Sequence, residues 1–452
     1  MTTTLQLARV GAGKTESAHR RLLAIKAANP FAKIWVLLST ERQINDFRRR
    51  LTVEHGRVLF NIEFFTFYPL YNRLLKLAGT PQRCLDDTAR YGLLREVLRG
   101  MSLDVYKGIA LTPGFIRVCA ALIYELKQNL ITPEVFELAA DNAKERELAR
   151  IYAAYQAVLR QHDLVDREGE GWLAYDALSN QRGLAKDVDL LIVDGYDQFN
   201  LLQAKLLAQL GARVRETLIT LTTVAGREDT MGRRFARAKE RLEEAHDSAR
   251  FAVSMTPPPP LPEFGEGRQH TEAALHHLSD QLLRPKPIPF DGETSAVCLL
   301  EAPDPTAEAA LILRRVKRLL LDGVSPDAIL IAVRDWTVYG DAFTAAGRAY
   351  GIPLAIHYGE PLARNPAITA LLSLLDLHKS NFRRRDLFDV LRSPYFTIPG
   401  IDAAAVDQLE RAANDALISA GREAWLEAVD LLAQPATEDE DGESVPVSGL
   451  DP

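Results

Sequence analysis

The sequence is poor in cysteine and lacks long apolar runs. Its three cysteines, Cys84, Cys119 and Cys298, are scattered and form no CxxC pair or mixed Cys/His ligand spacing. This pattern argues for a reducing compartment and against a structural zinc site. The N-terminal residues do not have the basic and apolar segments of a secretory signal, and no apolar run approaches the roughly 18–20 residues that span a bilayer. We therefore expect a cytoplasmic protein that makes no contact with a membrane.

An excess of positive charge is also absent. Lysine and arginine number 54 and aspartate and glutamate 61, which gives a formal net charge of −7. Net charge therefore supplies no argument for nucleic-acid binding, although a local basic groove can bind phosphates whatever the total charge. Hydrophobic residues make up 47% and charged residues 25% of the chain, the balance of a globular protein. The length of 452 residues corresponds to roughly three domains.

Hydrophobic patterning predicts strands and helices that alternate, with a long helical stretch between them. Compact apolar runs indicate buried strands, and longer stretches with helical periodicity indicate helices. The predicted strands are 2–8, 34–39, 60–67, 190–193, 216–224, 296–300 and 328–333, and the predicted helices are 16–29, 41–53, 86–99, 112–128, 133–141, 143–162, 305–322, 364–393 and 402–432. This order predicts an α/β protein in which a parallel sheet carries a helical insertion.

A glycine-rich turn follows directly after the first predicted strand. It has the form of a phosphate-binding loop, in which backbone N–H groups and the start of the next helix attract an anion. In such a loop the lysine reaches the β- and γ-phosphates and the threonine hydroxyl binds Mg²⁺. Ala8 replaces the first glycine of the full pattern, which a small residue tolerates. We predict ATP and Mg²⁺ as ligands, with the nucleotide bound by Gly11, Ala12, Gly13, Lys14 and Thr15.

A second apolar strand ends in a carboxylate at Asp194, which we predict to join Thr15 in binding Mg²⁺. Vigorous hydrolysis of a nucleotide needs a base beside this aspartate to activate water. The next residue is Gly195, which has no side chain to serve, and Asp197 is the nearest substitute base. The sequence therefore predicts nucleotide binding with weak or absent hydrolysis, and it identifies no other catalytic residue.

Several further segments occur in a characteristic order. They are ARVGAGKT at 8–15, LLSTERQINDFRRR at 37–50, TFYPLYNRLL at 66–75, ERELARIYAAYQAVLRQHDLVD at 145–166 and LLIVDGYDQFNLLQ at 190–203. As an ordered set they resemble superfamily 1, UvrD-like helicases, and within them the B subunit of the AddAB/RexAB type of helicase–nuclease. The resemblance extends over about residues 1–396. Gly195 stands where active motors of the superfamily have glutamate.

The resemblance implies a P-loop NTPase with a RecA-like parallel sheet, a large helical insertion and the start of a second RecA-like domain. It also implies DNA contacts at Thr40, Arg42, Thr66 and Tyr68. The implied domains are a first RecA-like domain at 1–80 and 185–255, the helical insertion at 81–184, a Pro-rich linker region at 256–290, a partial second RecA-like domain at 291–380, the start of a helical subdomain at 381–434 and a disordered tail at 435–452.

The activity that the resemblance implies is that of an ATP-dependent helicase–exonuclease complex, which acts on DNA ends in recombinational repair. This chain would be a helicase-like subunit of that complex and would bind single-stranded DNA and duplex ends. Its partner would be an active UvrD-like helicase–nuclease subunit, in a heterodimer. An iron–sulphur cluster is expected only in a nuclease domain further on, because these 452 residues contain neither the four cysteines nor a nuclease motif.

Three alternatives remain open at the level of sequence. The chain could be a self-sufficient DNA-dependent ATPase or helicase that uses Asp197 as its base. It could be a DNA-binding scaffold without enzymatic activity. A P-loop kinase or small-molecule phosphotransferase is a third alternative, but it leaves the segments at 66–75 and 145–166 unexplained.

Overall fold

The computed structural model describes residues 2–54, 56, 60–224, 226–228, 230–255, 266–292, 297–356, 358–359, 361–433, 437–438 and 444–445. The chain divides into two compact units, Met1–Phe264 and Gly265–Pro452. Each unit has its own hydrophobic cores.

The first unit alternates strands with helices, as the sequence predicts. Its strands are β1 (Thr2–Ala8), β2 (Ile34–Leu38), β3 (Ile62–Phe65), β4 (Arg83–Cys84), β5 (Leu164–Val165), β6 (Leu190–Asp194), β7 (Glu216–Thr222) and β8 (Phe251–Met255). Its helices are α1 (Lys14–Ala28), α2 (Glu41–Arg49, continued by a π-helical turn at Arg50–Glu54), α3 (Phe67–Leu77), α4 (Asp87–Gly100), α5 (Pro113–Gln128), α6 (Pro133–Ala139), α7 (Ala143–Gln161), α8 (Arg167–Asn180), α9 (Leu201–Gly211) and α10 (Arg233–Ala245).

Six of these strands form one parallel sheet in the order β3-β2-β6-β7-β1-β8. The adjacent strands β2 and β6 are buried along their whole length, because helices cover both faces of the sheet. On one face α1 and α2 pack through Leu22 and Phe47. On the other face α3, α8, α9 and α10 pack through residues such as Leu74 and Leu242. The predicted α/β class with a parallel sheet is confirmed.

The helical stretch between β3 and β6 has its own core, in which α4, α5 and α7 pack through residues such as Leu94, Ile116 and Tyr152. Each helix from α4 to α8 begins after a residue whose side-chain oxygen accepts a backbone N–H of the first turn. Such a cap stabilises a helix by about 1 kcal/mol. The capping residues are Asp86, Thr112, Thr132, Asn142 and Asp166.

The second unit consists mainly of helices. They are α11 (Glu266–Gln281), α12 (Pro305–Leu321), α13 (Trp336–Tyr350), α14 (Pro366–Asp376), α15 (Arg384–Leu391), α16 (Ala403–Asp415) and α17 (Arg422–Ala433). One core joins α12 to α13 through Leu313 and Phe343. Another joins α15, α16 and α17 around Phe388 and Trp425. Helix α11 lies within the predicted linker region 256–290, whose proline run at 257–262 is outside the described residues.

Two strands predicted in the second unit are wrong. Residues 297–300 and 329–333 form no strand, and Pro326–Ala328 is a 3₁₀ turn. Leu299 and Leu330 are 89% and 81% exposed, whereas the apolar runs predicted burial. A strand of a parallel sheet needs neighbours that pair with its N–H and C=O groups. Among the described residues of this unit, no strand pairs with residues 297–300 or with residues 329–333.

The two long helices predicted near the end of the chain are each divided. Asn381 and Phe382 have φ of 53° and 52° and separate α14 from α15, while Leu417 and Gly421 have φ of 52° and 110° and separate α16 from α17. A right-handed helix cannot include such residues. The predicted disordered tail lies outside the described residues except for β9 (Thr437–Glu438) and β10 (Ser444–Val445), which pair antiparallel.

In the described part of the chain, no helix combines the length and the apolar character needed to cross a bilayer.

Candidate functional site

The carboxyl ends of the six parallel strands lie at one edge of the sheet, and the predicted site residues follow these ends. After β1 the chain turns through Gly11 and Gly13, whose φ of 79° and 77° place them in the left-handed region that glycine enters without strain. Gly13 precedes α1 and offers no side chain to cap it. The N–H groups of the first helical turn are therefore left to bind an anion.

Lys14, the first residue of α1, folds back over this turn. Its ammonium donates to the carbonyl of Arg9 at 3.0 Å and lies 3.4 Å from the carbonyl of Ala8. Burial lowers the pKa of Lys14, and the nearby Asp194 carboxylate opposes this shift. The charge of Lys14 is thus incompletely solvated, so a phosphate at this position would stabilise it.

Thr15 and Asp194 come together although β1 and β6 are not neighbours in the sheet. The Thr15 hydroxyl donates to Asp194 Oδ2 at 2.8 Å, and the Thr220 hydroxyl of β7 donates to Asp194 Oδ1. Asp194 is 4% exposed. A hydroxyl beside a carboxylate is the oxygen donor set that Mg²⁺ prefers, so these residues fit the predicted ion. Thr220 is a site residue that the sequence did not predict, and its only signal is a polar residue within a buried strand.

The residues after Asp194 offer no free base in the described structure. Gly195 has a φ of 78° and no side chain. The carboxylate of Asp197, the predicted substitute base, accepts a hydrogen bond of 2.6 Å from the guanidinium of Arg234. The carboxylate of Asp197 is therefore already engaged by a cation in the described structure.

Three of the four predicted DNA contacts line one cavity of about 350 Å³, which we call the aromatic cavity. Thr40 follows β2, and Thr66 and Tyr68 follow β3. The facing wall comes from the helical insertion and includes Tyr124 of α5 and Glu168 of α8. Arg42 does not line this cavity and is exposed on α2.

Tyr68 is held by two residues at the start of α8. Its hydroxyl donates to Glu168 Oε1 at 2.9 Å, and the Arg167 guanidinium lies 5.4 Å from the centre of its ring. Burial and the neighbouring carboxylate raise the pKa of Tyr68. Burial also raises the pKa of Glu168, which the hydrogen bond from Tyr68 opposes. Glu168 and Arg167 are contacts that the sequence analysis did not identify.

The polar residues of the motifs at 145–166 and 190–203 make structural contacts. Asn200 and Gln203 form a reciprocal capping box at the start of α9. Tyr155 donates to Asp166 Oδ2 at 3.1 Å. Asp166 also accepts two hydrogen bonds, of 2.8 and 2.7 Å, from the buried ammonium of Lys127. These contacts join α5, α7 and α8, and Lys127 is a partner that sequence reasoning missed.

Within the described residues no group of three or more His, Cys, Asp and Glu side chains is arranged to hold a metal ion. Cys84 and Cys298 are exposed and Cys119 is buried, and all three are free thiols.

Residues 5–279 match the sequence model of the family described as "ADDB, N-terminal". Among curated relatives, the B subunit of the ATP-dependent helicase/deoxyribonuclease of Lachnoclostridium phytofermentans is 24% identical over 87% of this chain and 36% of its own length. The proteins of that name from Geobacillus thermodenitrificans and Moorella thermoacetica are 23% and 25% identical over 89% and 87% of this chain. The chain spans 36% of the length of each of these relatives. Because the family match covers more than half of the chain, the protein belongs to the ADDB N-terminal family.

Proposed function

We propose that the chain is a helicase-like subunit of an ATP-dependent helicase–exonuclease complex that acts on DNA double-strand ends in recombinational repair. In this proposal it binds ATP, Mg²⁺ and single-stranded DNA, with weak or no hydrolysis of its own, and pairs with an active UvrD-like helicase–nuclease subunit. The relatives are named as subunits of a helicase/deoxyribonuclease, which supports the role in a complex. The hydrogen bond between Thr15 and Asp194 is the observation that carries the nucleotide site.

The nucleotide site would use groups from helix α1 and from strands β6 and β7 of a RecA-like P-loop domain. The first turn of α1 and the ammonium of Lys14 would bind the β- and γ-phosphates. Thr15 and Asp194 would hold Mg²⁺, which neutralises phosphate charge when it is bound. Thr220 orients Asp194 by its hydrogen bond to the second carboxylate oxygen. The parallel pairing of β6 with β7 and of β7 with β1 brings these groups close together.

Weak hydrolysis is the part of the proposal that separates this chain from a self-sufficient motor. Gly195 supplies no proton acceptor, and the ion pair between Asp197 and Arg234 disfavours the substitute. Nucleotide would therefore stay bound and serve as a structural or regulatory ligand. The scaffold alternative differs only in requiring no nucleotide, and the experiment below distinguishes the two.

The nucleotide site is tested by the Mg²⁺ dependence of binding of the fluorescent analogue mant-ATP to the whole chain. We expect saturable binding that Mg²⁺ strengthens. Thr15→Val and Asp194→Asn should each reduce the Mg²⁺ enhancement at least about tenfold, or 1.4 kcal/mol, because each removes an oxygen ligand. Thr52→Val is the matched control, since Thr52 is exposed and its hydroxyl donates to carbonyls of the preceding turn. Absence of saturable binding to the unaltered chain would refute the nucleotide site.

DNA binding at the aromatic cavity is tested with a fluorescent oligo(dT) by anisotropy. Stacking of a base on an aromatic ring contributes about 1–3 kcal/mol, so Tyr68→Ala should weaken binding roughly 5- to 150-fold. Tyr68→Phe keeps the ring and loses only the bond to Glu168, so its affinity should stay within about threefold of the unaltered chain. Tyr395→Ala, at a tyrosine that is 51% exposed in the second unit, controls for general effects. Equal affinities for Tyr68→Ala and Tyr395→Ala would contradict the assignment.

A further inference from the structure

The side chain of Gln43 lies directly against Gly195. A β-carbon added at Gly195 would lie 2.8 Å from both Cδ and Nε2 of Gln43 and closer still to its Oε1. Real β-carbons essentially never approach another heavy atom within 3.0 Å. The carboxamide of Gln43 therefore fills the space in which any side chain at position 195 would begin.

Gln43 cannot leave this position without losing hydrogen bonds. Its Oε1 accepts from the backbone N–H of Ser39 at 3.1 Å and from the Ser39 hydroxyl at 2.7 Å. Its own backbone N–H donates to Thr40 Oγ1 at 3.2 Å, which fixes the first turn of α2. The flexible end of a glutamine usually yields to a neighbour, but here it is tied to the end of strand β2.

The strand and the loop that carry the two residues are also joined. Leu38, the last residue of β2, is paired with Asp194 in the sheet register. The Tyr196 hydroxyl donates to the carbonyl of Leu38 at 2.7 Å. The residues on either side of Gly195 are thus fixed to β2, and the loop cannot shift away from Gln43 as a unit without breaking these contacts.

We propose that Gln43 is a specificity-determining residue of the nucleotide site, whose carboxamide excludes a side chain, and with it a carboxylate base, from position 195. The proposal rests on the proposed function and deepens it. A carboxamide is neutral and cannot take a proton from water at neutral pH. With Gln43 in place, position 195 remains a glycine and supplies no base. Lys14, Thr15 and Asp194 then bind nucleotide without hydrolysing it.

The backbone conformation at position 195 also disfavours a side chain there, and its effect can be measured separately from the collision with Gln43. A φ of 78° disfavours any residue with a β-carbon. This strain remains when Gln43 is shortened, whereas the collision disappears. The effect of a substitution at position 195 must therefore be compared in the presence and in the absence of the Gln43 side chain.

The test is a double-mutant cycle in the whole chain with Gln43→Ala, Gly195→Glu and both together, measured by mant-ATP affinity and by phosphate release with ATP and Mg²⁺. With Gln43 present, Gly195→Glu should weaken mant-ATP binding at least about tenfold. With Gln43→Ala it should weaken binding less than about threefold. Phosphate release by the double variant should exceed that of Gly195→Glu at least about tenfold, because a positioned general base typically contributes 10²–10⁴.

Equal effects of Gly195→Glu in the two backgrounds would overturn the proposal, as would phosphate release by Gly195→Glu alone at the rate of the double variant. If the glutamate variants do not fold, Gly195→Ala is used in their place. Gly195→Ala should then lower Tm by about 3 °C more in the chain with Gln43 than in the chain with Gln43→Ala. An equal loss of Tm in both backgrounds would again overturn the proposal. If the unaltered chain does not bind mant-ATP, the proposed nucleotide site is refuted. The Tm comparison then still tests, by itself, whether the Gln43 side chain excludes a side chain from position 195.

Discussion

Lys127→Met is expected to lower the free energy of unfolding of the first unit by about 3–5 kcal/mol. The ammonium of Lys127 donates 2.8 and 2.7 Å hydrogen bonds to the two oxygens of Asp166. The two side chains are only 1% and 4% exposed. Removing one member of a buried ion pair leaves the other charge without compensation, and this costs more than the pair itself contributes.

The contacts around this pair explain why α8 depends on it. Asp166 caps α8 by accepting the N–H of Gly169 at 2.8 Å and also accepts the Tyr155 hydroxyl. Burial lowers the pKa of Lys127 and the Asp166 carboxylate opposes that shift, so the charged form of Lys127 depends on its partner. An uncompensated Asp166 would move toward solvent, and this would weaken the start of the helix that holds Tyr68.

The measurement is urea unfolding followed by tryptophan fluorescence. Trp172 reports on the altered site, because its indole N–H donates to the carbonyl of Lys127 at 2.7 Å. Lys144→Met, at an exposed lysine of α7, is the matched control and should change stability by less than about 0.5 kcal/mol. Lys127→Met combined with Asp166→Leu should recover part of the loss, since both charges of the pair are then removed together. A Lys127→Met protein as stable as the control would show that the ion pair is not needed.

Local signals explain which parts of the structure the sequence predicts. The strands β2 and β6 are apolar runs whose burial follows from composition, and the turn at Gly11 and Gly13 is a motif with a known backbone geometry. Parallel pairing then places the ends of these strands at one edge of the sheet. The contact between Thr15 and Asp194, which lie 179 residues apart, follows from motif order and topology rather than from either residue alone.

The remaining contacts depend on tertiary packing that local signals do not encode. In the sequence, Lys127 has the pattern of an exposed charged residue at the end of a helix. Its partner Asp166 lies 39 residues further on, at the start of another helix. Tyr68 and Glu168 are separated by 100 residues, and neither type predicts the other. The apolar runs at 297–300 and 329–333 resemble buried strands, yet a strand exists only where a neighbour pairs with it.

Lys14→Met is expected to weaken mant-ATP binding roughly 10- to 150-fold, because a hydrogen bond to a charged group contributes about 1.5–3 kcal/mol. Methionine keeps the length and the apolar part of the side chain and removes the ammonium, so it leaves no large cavity above the turn. Lys33→Met is the matched control, since Lys33 precedes β2 at the opposite edge of the sheet and pairs there with Asp187 at 2.8 Å.

The pH dependence of mant-ATP binding distinguishes a direct contact of Lys14 from a structural role. Burial lowers the pKa of Lys14, so its ammonium loses its proton at a lower pH than an ordinary lysine. Only the protonated form attracts phosphate, and affinity should therefore fall as the pH rises through this lowered pKa. Lys14→Met should lose this decrease and Lys33→Met should keep it. The same decrease in all three proteins would show that another group is responsible and that Lys14 does not bind the phosphates.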